Sequence, residues 1–121
     1  MELKTILPWI AVGVGGWCVL MGVLHDIFVI AGEHGKKYDR NLLRLLMDGH
    51  ILITCGAMLL VAFSGLKTQE TWAFLIAIIA AVSLLVYVAM IWPFLKSFAT
   101  LLFSLAVLIS TIVVWVTKSA A

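Results

Sequence analysis

Charge is what this sequence has least of. Acidic and basic residues fill 12% of its 121 positions, about half of the roughly 25% typical of a soluble domain. So few charges cannot cover a chain that is 64% hydrophobic, so a water-soluble globule is excluded and lipid is the expected solvent. The net charge of +2 is scattered along the chain and builds no basic face, which excludes a nucleic-acid partner. Cysteine is scarce as well. Cys18 and Cys55 stand alone, without a CxxC pair, a zinc-type spacing or the numbers for a disulfide framework. Glycine-rich phosphate loops and nucleophile elbows are also missing, and these absences argue against an enzyme acting by itself.

What is present is long apolar runs. The first covers residues 6–31, too long for the roughly 7–15 apolar residues of a cleaved signal peptide. It lacks a small-residue cleavage site, and Cys18 after Trp17 is a poor context for lipoprotein processing. It reads as a retained span. About 20 apolar residues cross the hydrocarbon core, and residues 6–31, 42–64, 71–91 and 97–117 qualify. Pro8 falls near the start of the first span, where a missing N–H does no harm, and Asn41 is placed to cap the second. Pro93 and Lys96 mark a tight turn between the third and fourth. All three connections are short, so neighbouring spans run antiparallel. The expected fold is all-α, with residues 1–121 forming one integral membrane domain: an up-down-up-down bundle of four transmembrane helices.

Lys36, Lys37, Arg40, Arg44 and Lys96 fall on one side of that bundle, and Lys4, Lys67 and Lys118 on the other. This bias predicts a cytoplasmic (inner) membrane protein with both chain ends on the non-cytoplasmic side. Trp9, Trp72 and Trp115 would lie at the outer interface and Trp92 at the inner one, with Trp17 alone deep.

Small residues mark where helices meet in lipid. They recur as Ala11, Gly15, Cys18 and Gly22 in the first span, as Ala73, Ala77 and Ala81 in the third, and as Ser97, Ser104 and Thr111 in the fourth. Two pairs define a register. Cys18 and His25 are seven apart, as are Asp48 and Cys55, and in an antiparallel hairpin residues at equal depth have numbers of constant sum. His25 with Asp48 and Cys18 with Cys55 both add to 73, as do Glu33 and Arg40 in the loop.

Ionisable groups inside a span cost roughly 2.5–3.5 kcal/mol each at the membrane centre by insertion scales. Here they gather toward the inner ends of the first two spans. His25, Asp48, His50, Tyr87 and Ser104 are expected at one depth, with Asp26 and Arg44 at the edge and Arg44 able to pair with Asp48 one turn on. One reading is that these groups reach water or satisfy one another and carry no further role. A second is a proton or ion relay around His25 and Asp48. A third is haem, with His25 and His50 as axial ligands and Gly22 leaving room for the ring. A fourth is a divalent metal held by His25, Asp48 and His50. His50 lies about 160° around its helix from Asp48, which stands against the last two.

The small multidrug-resistance transporters also have four short spans but carry a glutamate in the middle of the first. This chain has none there, so that family is excluded. The leading expectation is a non-catalytic accessory or structural subunit of a larger membrane complex, or a homo-oligomer, docked through its apolar faces. The alternative is a redox or transport component whose polar layer binds haem, a metal, a quinone or protons.

Overall fold

The computed structural model describes residues 2–120. Four helices follow one another: α1 (Leu3–Ala31), α2 (Arg40–Lys67), α3 (Thr71–Ile91) and α4 (Phe98–Ala120), with a short 3-10 turn at Glu33–Lys36. Each is long and apolar enough to cross a membrane, and no strand occurs among the described residues. The chain is an all-α, up-down-up-down bundle. Its helices form a ring, with α1 packed most extensively on α2, α2 on α3, α3 on α4 and α4 back against α1.

The boundaries differ from the apolar runs in an instructive way. Only α3 coincides with its run. α1 at its start, α2 at both ends and α4 at its close continue through polar residues, because backbone hydrogen bonds sustain a helix past the edge of lipid. At about 1.5 Å per residue, the 29 residues of α1 and 28 of α2 reach some 42–44 Å, well beyond a hydrocarbon core of ~30 Å. α3, with 21 residues, and α4, with 23, are shorter by ~7–12 Å. The cap of α2 is Asp39, not Asn41: its Oδ1 accepts from the Leu42 backbone N–H at 2.9 Å, and Asn41 falls inside the first turn. Glu33 pairs with Lys36 at 3.1 Å within the 3-10 turn and so does not meet Arg40. Because α1 starts at Leu3, Pro8 is buried in its second turn.

The α1–α2 contact is set by glycine. A β-carbon on Gly15 would stand 2.8 Å from the Gly56 carbonyl oxygen, and one on Gly22 would stand 2.6 Å from that of Gly49. The two backbones touch at both crossings, seven residues apart on each helix, and no larger residue fits. Gly15, Cys18, Gly22, Cys55, Ala77, Ala81, Ser104 and Thr111 are all buried along the seams of the ring.

Packing is densest from the middle of the bundle to the end carrying the chain termini. There Leu7, Ala11, Leu59, Phe74 and Ala77 are fully buried, and Phe74 stacks on Trp115 at 5.7 Å. Toward the opposite end, where residues 32–39 and 92–97 make the connections, the helices leave space between them.

Candidate functional site

That space is a cleft of about 950 Å³ bounded by all four helices. Its position follows from the elements. The two shorter helices stop early and are joined by a tight turn in which the Phe94 and Leu95 N–H groups both donate to the Ile91 carbonyl. Phe94 and Leu95 line the cleft and are largely exposed at its mouth. Trp17 lines it deeper on α1 and is braced by Phe103 of α4, the rings meeting edge to face at 4.9 Å.

His25 from α1, Arg44 and Asp48 from α2, Tyr87 from α3, and Ser97 and Thr100 at the start of α4 supply the polar part of the wall. Asp48 lies within electrostatic reach of His25 and Asp26, and Tyr87 within reach of Asp48. His25, Asp48 and Tyr87 thus share one chamber. The same register places Cys18 beside Cys55, both reduced and buried.

The partners within this group are not those expected from spacing. The ring of His25 is bonded to its neighbour Asp26, Nδ1 to Oδ1 at 3.4 Å, with 36% of the His25 side chain and 23% of that of Asp26 exposed. Asp26 is more than an edge residue. Its carboxylate occupies the place where a β-carbon of Gly49 would stand, in the α1–α2 seam. Arg44 is exposed, and among the described residues no ion pair joins it to Asp48. Ser97 donates to Thr100 Oγ1 at 2.8 Å. Asp48 and the Tyr87 hydroxyl make no hydrogen bond among the described residues, so a carboxylate and a phenol stand unpaired in one wall.

Two residues of the expected layer lie elsewhere. His50 is exposed on the outer face of α2, where its Nε2 lies 3.3 Å from the Thr54 hydroxyl. The turn of the helix between positions 48 and 50 carries it away from the cleft. His25 and His50 therefore do not converge on a common ligand position, and no group of three metal-ligating side chains gathers among the described residues. Ser104 is fully buried in the α4 seam and donates to the Thr100 carbonyl at 2.6 Å; it does not reach the cleft. Sequence reasoning missed Gly49 and Gly56, although they repeat at the same seven-residue step as Gly15 and Gly22.

Chemically, the arrangement can hold an apolar body against Trp17, Met21, Phe28 and Met90 while offering a carboxylate, an imidazole and a phenol to its polar end. Comparison of the chain with family models, with curated proteins and with solved structures gave no match.

Proposed function

We propose that this chain is a small membrane protein that binds an amphipathic small molecule between its four helices, as a transport or redox component and not as an enzyme in its own right. One observation carries the reading: Asp48 stands unpaired beside Tyr87 and His25 in the wall of a cleft bounded by every helix. Ionisable groups that face the interior of a membrane bundle mark substrate and proton pathways, and pockets of ~300–1,000 Å³ with few polar groups are the usual form of ligand sites. Haem or a divalent metal is the weaker ligand, because His50 faces away. The excess of Lys and Arg around residues 32–44 and 92–97 supports an inner-membrane location with the mouth of the cleft on the cytoplasmic side and both chain ends opposite.

Native mass spectrometry of the protein extracted in mild detergent tests this. Retained small molecules should appear with the wild-type protein and diminish about tenfold or more in Asp48→Asn and Tyr87→Phe variants that keep their helical circular dichroism. Protein that leaves the membrane without small molecules, and takes up none when amphiphiles are added, would refute the reading. A Soret band or stoichiometric metal in the same preparation would instead restore the haem or metal alternative.

A second reading, the accessory subunit of a larger complex, draws on the His50–Thr54 pair. Polar side chains on an outer helix face are poorly solvated by lipid and are better satisfied by another helix. A cysteine at Thr54 should cross-link to a second chain in native membranes. His50→Leu should weaken that association and leave the bundle folded, as read by native gel mobility. An uncross-linked Thr54→Cys protein that migrates as a monomer would dismiss the accessory role.

A further inference from the structure

An ionised carboxylate inside a membrane bundle is stable only beside a positive charge, a proton or well-aimed donors. The other acidic groups near this end have such neighbours: Glu33 has Lys36, Asp39 has the Leu42 N–H, and Asp26 has His25. Asp48 has none. The groups that face it are His25 and Asp26 from α1, Arg44 one turn away on α2, and Tyr87 from α3, while α4 contributes only the uncharged Ser97 and Thr100. Arg44 is exposed and forms no ion pair with it, and the imidazole of His25 is engaged by Asp26. The remaining wall is apolar: three aromatic residues (Trp17, Phe28, Phe94) and three methionines (Met21, Met47, Met90) stand among leucines and an isoleucine. Aromatic faces carry negative potential and attract cations, and thioethers are polarisable and adapt to irregular apolar shapes.

We infer that the cleft takes a lipophilic organic monocation, its charge beside Asp48 and its apolar body against the aromatic and methionine wall, and that a proton competes for the same carboxylate. The inference rests on the reading of the cleft as a ligand site and specifies what that site selects. Protonating Asp48 removes the counter-charge, so loss of the cation and uptake of the proton are coupled at one residue. Neither a neutral ligand nor an anion would give Asp48 this part.

The probes are tetraphenylphosphonium and tetraphenylborate, which share a four-phenyl shape and carry opposite charge. Binding is measured by equilibrium dialysis on the full chain in lipid nanodiscs, with protein-free nanodiscs as the blank. The phosphonium should bind saturably at one site. Its affinity should fall as pH is lowered through the titration of the carboxyl, approaching about tenfold per pH unit once the protonated form dominates, as mass action requires for one competing proton. Asp48→Asn should weaken binding at least about tenfold and flatten its pH profile, Asp48→Glu should keep both, and Arg44→Gln should leave affinity equal or raise it. If Asp48→Asn does not fold, the pH profile of the wild-type protein and the Asp48→Glu variant still decide the matter.

Tetraphenylborate binding as tightly as the phosphonium, and lost in Arg44→Gln, would overturn the choice of a cation and leave the ligand site standing. Phosphonium binding that is indifferent to pH and to Asp48→Asn would do the same. Neither probe binding above the blank, in protein that also retains no small molecule from its native membrane, would remove both the inference and the proposed function.

Discussion

Asp26 and Gly49 show how a missing side chain on one helix decides the chemistry on another. The carboxylate of Asp26 lies where a β-carbon of Gly49 would project, and from there it reaches the ring of His25. Gly49→Ala should therefore expel the carboxylate, break the His25 contact and push α1 off α2. The overpacking cost is about 1–3 kcal/mol, read as a lower midpoint in reversible detergent unfolding. Gly13→Ala is the matched control. Nothing lies within 4 Å of where its β-carbon would be, so it should not destabilise the protein and should gain up to about 1 kcal/mol from the better helix propensity of alanine. The facing of Cys18 with Cys55, and of His25 with Asp48, was legible because seven-residue steps keep a side chain on one face. The engagement of Asp26 was not, because it depends on an absent side chain that only the partner helix reveals. His50 was misplaced in the layer for a simpler reason: equal depth says nothing about facing, and two positions along a helix turn it by about 200°.

At the scale of whole helices, hydrophobicity locates all four, and the simplest expectation equates the end of each apolar run with the end of its helix. That equation holds for α3 and for the loop end of α1, and fails at the start of α1, at both ends of α2 and at the close of α4, where the helix runs on through polar residues without unwinding. The start of α2 then depends on Asp39, which satisfies the Leu42 amide that no helical carbonyl can reach. Asp39→Ala should destabilise the protein by about 0.5–2 kcal/mol and speed hydrogen exchange at the Leu42 amide, while exchange in α3 stays unchanged. The same substitution frays the segment carrying Arg44, one turn from the unpaired carboxylate, so it also tests how far the cleft depends on an ordered α2.

For the whole molecule, the decisive contrast is between a densely packed half and an open half. Leu7, Leu59 and Phe74 fill the ring toward the chain ends with Ala11 and Ala77 among them, whereas Met, Phe, Trp and Leu side chains leave a gap where the loops lie. The sequence carried the small-residue stripes plainly. It gave no direct sign of the gap, which depends on how side chains of four helices of unequal length meet at one end. That inequality has a further consequence. A slab of fixed thickness cannot match both hairpins: lipid that fits the short one leaves the tall one protruding, and lipid that fits the tall one drowns the turn at Pro93. Emission from Trp92, isolated in a single-tryptophan variant, should shift to shorter wavelengths as acyl chains lengthen, whereas Trp17, shielded by Phe103, should hold steady. Acyl length then becomes a dial on how far the mouth of the cleft is covered, turned by the lipid without touching a single side chain inside.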